Sequence, residues 1–209
     1  MEELLLSSPK PINIYDLFSD YYVGDSVIFN DEQIMSEELK KYNLVLERKD
    51  RKLAILGEEI DIRKAIRQTN EIFNTIDLDD LKRNQELNFN RHDVLFILGQ
   101  LRNIEKDLDI TIPYPYNVNI FSHLYILLSR SRNVPALLFS DKVSDEEMEN
   151  MSRDTILYPV AKVIVNNIEK YLHSSLPDIE IYFLYQYLVS SRMQGSLATT
   201  STFHQRLSK

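Results

Sequence analysis

Apolar residues along this chain recur mostly at helical spacing. Ile14, Leu17, Phe18 and Tyr21 fall at i, i+3, i+4 and i+7, which predicts a short amphipathic helix over 14–22. Val23-Gly24-Asp25-Ser26 reads as a tight turn, with Asp25 or Ser26 able to cap the next helix. That longer helix is expected from Val27 to Tyr42, with Val27, Ile28, Ile34, Met35 and Leu39 facing inward. Helix, short glycine turn and second helix make a helix-turn-helix. Two short apolar runs, 43–47 and 52–57, then flank the charged turn Arg48-Lys49-Asp50-Arg51 and predict a β-hairpin. After a helix-turn-helix such a hairpin is a wing. A helix resumes at Glu58 and runs through Ile60, Ile62, Ala65 and Ile66 to Phe73.

From Asp77 the pattern is almost entirely helical, with helices expected at 77–86, 90–109, 117–132, 144–151, 154–173 and 177–193. Ser144-Asp145-Glu146-Glu147 is a capping box, in which the glutamate bonds back to the serine N–H. Pro177 sits where a first-turn proline is tolerated. The fold class is therefore mainly α: a small winged helix-turn-helix with its β-hairpin, then an all-α bundle. The expected organisation is a winged domain over 1–57, its first twelve residues a leader containing Pro9-Lys10-Pro11. A linker helix comes next over 58–76, then the bundle over 77–193. Residues 194–209 form a tail or the start of a next domain.

Composition narrows the chemistry. The 209 residues are 44% apolar and 27% charged, an ordinary globular balance. Cysteine is absent, which excludes disulfides and thiolate metal sites. The four histidines, His92, His123, His173 and His204, are scattered and form no HExxH pattern, so no metal is expected. None of the four glycines belongs to a phosphate-cradling run, and no cofactor is expected. The net charge of −8 opposes nucleic-acid binding by the chain as a whole. There is no apolar run of membrane-spanning length, and the acidic start is too short in apolar residues for a signal peptide. A soluble, cytoplasmic protein is expected.

One pair of residues carries candidate chemistry. His123 and Arg130 lie seven positions apart in the apolar stretch Ile120–Arg130, close to two helical turns, so they share a face. Their Cα atoms would be separated by about 10 Å along the axis. A nucleophilic imidazole near a guanidinium suits a transient phosphohistidine, because guanidinium binds phosphate oxygens with bidentate geometry. The alternative is a core or boundary histidine with an unrelated surface arginine. His92 opens a helix and reads as a surface or capping residue. His173 closes one, where a cation suits the helix dipole.

These stretches resemble bacterial sugar-operon regulators that carry phosphotransferase-system regulation domains: antiterminators and activators of the lichenan, mannitol and β-glucoside operons, with the related virulence activators. The segment from Ile14 through Asp31, Asn43–Lys49 and Leu56–Arg63 is similar to the winged helix and the G-E-x-x-x-R junction ahead of the regulation domain, with the arginine one position later. His123–Arg130 matches the H-x6-R around the first acceptor histidine. Leu176-Pro177-Asp178-Ile179-Glu180-Ile181-Tyr182-Phe183-Leu184 is similar to the L-P-x-x-E-I-x-x-L that opens the last helix.

The resemblance implies a sensor bundle phosphorylated on histidine by the histidine phosphocarrier protein or an enzyme II component, with dimer packing as the output. Carried over, His123 is the phosphoacceptor and Arg130 or Arg132 its charge partner. Two departures stand out. The second acceptor position, seven residues after Glu180, holds Tyr187. The second helix of the helix-turn-helix carries Asp31, Glu32, Glu37 and Glu38, which repel phosphates. DNA binding is therefore expected of the full-length regulator and weak or absent here, with Arg48, Lys49, Arg51 and Lys52 of the hairpin as the possible contacts. Family members carry a further helix-turn-helix ahead and a further regulation domain behind, so the chain is expected to be part of a longer protein. Three functions compete. The first is a phosphorylation-controlled regulator acting as a homodimer. The second is a dimerisation scaffold with a degenerate acceptor site. The third is an enzyme using His123 with a carboxylate, disfavoured because no second catalytic group is fixed near it. The tyrosines at 182, 185 and 187 read as a core or dimer face ahead of an RNA-stacking platform.

Overall fold

Side chains that the sequence places at helix ends fix many of the boundaries in the structure, a computed structural model that describes residues 1–70, 72–83, 89–134 and 143–206. It is mainly α-helical with one small antiparallel sheet. It comprises two units, residues 1–75 with 126–141 and residues 76–125 with 142–209.

The first unit opens with α1 (Glu2–Ser7), where a leader was expected; Leu4 and Leu5 are fully buried and anchor it. Strand β1 (Ile12–Asn13) leads into α2 (Ile14–Phe18), capped by the Asn13 side chain, and a 3-10 turn over Ser19–Tyr21. Helix α3 (Asp25–Lys40) comes after Gly24. The turn that follows it closes at Asn43, whose left-handed backbone (φ 57°) lets the Leu44 N–H reach the Leu39 carbonyl. Strands β2 (Val45–Lys49) and β3 (Lys52–Leu56) form the expected hairpin, with Lys49 opposite Lys52 and Asp50 taking positive φ in the turn. β1 adds to the other edge of β3, giving the order β1-β3-β2.

The inward face of α3 differs from the expectation. Ile28 and Leu39 are buried, but Val27 and Ile34 are exposed, and Glu32 is turned inward. The reason is Arg48 on β2, which donates to both Glu32 oxygens at 2.7 and 2.9 Å. A buried carboxylate is tolerable only when paired. Helix α4 (Glu59–Thr69) buries Ile62, Ala65 and Ile66 and packs on α1, so residues expected to link two domains belong to this unit's core. The short α5 (Ile72–Thr75) comes next.

The second unit contains α6 (Leu78–Arg83), α7 (Arg91–Leu108), the first part of α8 (Tyr116–Asn133), α9 (Asp145–Ser152), α10 (Leu157–Leu172) and α11 (Ile179–Arg206). The expected end of the first of these helices, 84–86, lies outside the described residues. Helix α11 continues through much of the stretch expected as a tail. Asn90 caps α7 by accepting from the N–H groups of His92 and Asp93, and His173 ends α10 in the left-handed conformation. Helix α10 packs on both α7 and α11 and buries Ile164, Val165 and Ile168. The Tyr171 hydroxyl donates to Asp93 at 2.8 Å, and the Tyr171 ring stacks on Phe96. Among the described residues, no helix is long and apolar enough to cross a membrane, and no group of three His, Cys, Asp or Glu is placed to hold a metal.

The capping box of α9 is formed in both directions: the Glu147 N–H donates to Ser144 Oγ and the Ser144 N–H donates to Glu147 Oε2. Glu147 also accepts from the Tyr182 hydroxyl of α11 at 2.9 Å. These bonds, the Ser144 hydroxyl first, hold its carboxyl below the usual range. Ser144→Ala is expected to cost about 1 kcal/mol, the ordinary worth of an N-cap, read as a lowered urea midpoint by circular dichroism.

Candidate functional site

His123 lies in the middle of α8, on a buried face. Its neighbours Ile120, Phe121 and Leu124 are core residues, and His123 itself is 6% exposed. Two rings of α11 flank its imidazole. Tyr187 lies 4.8 Å away between centroids, tilted by 37°, and Phe183 lies 6.4 Å away, edge to face. Positions 183 and 187 are one turn apart, so a single face of α11 meets the histidine. Glu180, one turn earlier, is also buried.

The imidazole is thus enclosed by side chains of α8 and α11. Phosphorylation would add about two negative charges there. Burying such charge costs several kcal/mol unless it is paired.

The other half of the expected pair, Arg130, is engaged by groups of its own unit. The Arg130 side chain is fully buried within the first unit. It donates from Nε and Nη2 to the two carboxylate oxygens of Glu59, at 3.1 and 2.5 Å. Its Nη1 donates to the carbonyls of Leu5, Leu6 and Ser8, at 3.0, 3.0 and 2.6 Å. Helical spacing puts residues 123 and 130 on one side of α8, but a buried carboxylate and three helix-end carbonyls occupy the guanidinium. Arg132, the other expected partner, is exposed. It is nine residues from His123, two and a half turns, which turns it to the opposite side of α8.

Glu59 is the residue that sequence reasoning missed. By spacing alone it can pair with Arg63 at i, i+4, a contact worth a few tenths of a kcal/mol on an isolated helix. In the structure it is 4% exposed and accepts from Arg63 Nε at 2.8 Å as well as from Arg130. Nothing within four residues of Glu59 signals Arg130, which lies 71 positions away.

The hairpin cations are partly engaged within their own unit. Arg48 is bound to Glu32, and the Arg51 guanidinium lies 5.7 Å from the centroid of the Tyr15 ring. Lys49 and Lys52 are exposed at the tip.

Residues 99–191 match the family model of the PRD domain, a stretch that begins in α7 and ends in α11. The chain carries a PRD domain. His123 and Tyr187 both fall inside the matched region. The PRD is a regulatory module governed by the sugar phosphotransferase system, and its presence assigns the chain a regulatory role. A comparison with curated proteins gives no match.

Arg130→Met leaves Glu59 buried with one cation fewer and the α1 carbonyls without their donor. It is expected to destabilise the first unit by about 3 kcal/mol or more, the cost of breaking a buried ion pair. Arg132→Met, at an exposed position, is expected to change stability by less than about 0.5 kcal/mol. Urea denaturation of the two variants side by side checks both values.

Proposed function

We propose that this chain regulates a bacterial sugar operon in the cytoplasm, with His123 of its PRD domain as the phosphoacceptor and a homodimer as the working form. The donor is the histidine phosphocarrier protein or an enzyme II component. The bond from phosphorus to the donor's phosphorylated side chain breaks, that side chain leaves with the electron pair, and an imidazole nitrogen of His123 bonds to the phosphorus. One observation carries the reading: within the PRD domain, the first acceptor position meets the second, His123 against Tyr187, at 4.8 Å between rings. Two sites of one switch belong together in this way, and here one of them holds a residue outside histidine phosphochemistry.

The same burial gives the switch its physics. A phosphoryl group on His123 is incompatible with the packing of Phe183 and Tyr187 over the imidazole, so transfer requires this face of α8 and α11 to separate. A few kcal/mol of unfavourable charge burial is enough to reverse an equilibrium between two packings. A second reading, a dimerisation scaffold that is never phosphorylated, draws on the Tyr187 replacement and on the low exposure of His123.

The test is phosphoryl transfer in solution. The chain is incubated with phosphoenolpyruvate, enzyme I, the phosphocarrier and enzyme II B domains, and acid-labile phosphate is mapped by mass spectrometry. Label on His123, absent in a folded His123→Ala variant, is expected. A folded wild-type chain that takes no label from any donor would overturn the acceptor assignment and leave the scaffold.

A further inference from the structure

A groove of about 670 Å³ lies in the first unit, where α1, α2 and the 3-10 turn meet the middle of α3. Five carboxylates line it: Glu2, Glu3, Asp16, Asp20 and Asp31. No lysine or arginine is among the described lining residues; the cation there is the Met1 amino group, against five acids. Between the acids the lining is apolar, with Leu17, Phe18, Ile34 and Met35. Ile34 is 60% exposed at mid-helix, and Tyr21 on the rim is 71% exposed. Clustered exposed apolar side chains with a polar rim mark interaction surfaces. A DNA reader would turn this helix pair toward phosphates, but its charge has the opposite sign for that task.

We propose that this groove docks a basic amphipathic helix from a partner protein. The apolar face of such a helix would cover Ile34, Leu17 and Met35, and its lysines and arginines would meet the five carboxylates. Amphipathic helices bind helix-lined apolar grooves in this manner, and the opposite charges speed their encounter. A second copy of this chain is the weaker fit. Its basic hairpin has Arg48 held by Glu32 and Arg51 over Tyr15. The proposal concerns the first unit and stands whether or not His123 takes phosphate.

Fluorescence anisotropy with a labelled leucine–lysine peptide of helical period, and its leucine–glutamate counterpart, tests the site. The lysine peptide is expected to bind saturably to the wild-type chain. Ile34→Ser and Asp20→Lys, both at exposed positions, are each expected to weaken it about tenfold or more, with circular dichroism unchanged. Glu146→Lys on α9 makes the same charge change outside the groove and is expected to leave affinity unaltered. Equal loss with Glu146→Lys, equal affinity for the glutamate peptide, or no saturable binding would overturn the proposal. So would wild-type self-association, measured by sedimentation, that Asp20→Lys abolishes.

Discussion

The first unit depends on one buried carboxylate. Glu59 opens α4 and receives two guanidinium groups, those of Arg63 and Arg130, while Arg130 also takes the carbonyls of Leu5, Leu6 and Ser8. Those carbonyls are at the end of α1, where a helix leaves its last acceptors without intrahelical donors. A cation at that end also suits the helix dipole. Arginine is suited to the place because its planar fork offers five N–H groups in fixed directions, whereas lysine offers three from a point. The same side chain thus binds three segments far apart in sequence: residues 5–8, Glu59 and the last turns of α8. Each charge is tolerable inside only because the others are there.

Helix α8 carries this arginine and His123 seven residues apart, and the two have different work. Arg130 is structural, held in the first unit. His123 belongs to the second, under the aromatic face of α11. The spacing that suggests a histidine–arginine phosphate site is real as geometry along the helix. In this structure the guanidinium is held by Glu59 and the end of α1. What surrounds His123 is the aromatic face of α11, Phe183 and Tyr187, with Glu180 buried one turn before them.

Much of the fold is legible in the sequence because its signals are local. The start of α7 near residue 90, Ser144 with Glu147 at α9, and the charged turn between β2 and β3 are each set within a few residues, and each lies where the sequence puts it. Misreadings occur where a partner is distant. The inward face of α3 carries Glu32 where Ile34 was expected, because Arg48 neutralises the acid from another element. Residues 2–7 read as a leader, since six residues are too few to show a period, yet Leu4 and Leu5 are fully buried. Of the candidate site, His123 and the Tyr187 position were legible; their ring contact and the diversion of Arg130 to Glu59 depend on pairings that no local pattern encodes.

The claim that phosphate on His123 opens the α8–α11 face can be tested by hydrogen–deuterium exchange on the chain before and after phosphoryl transfer, with peptides covering Phe183–Leu188. Faster exchange across that stretch in the phosphorylated chain, with residues 97–104 of α7 unchanged, is the predicted result. Unaltered protection of Phe183–Leu188 in a chain that carries phosphate on His123 would contradict the account.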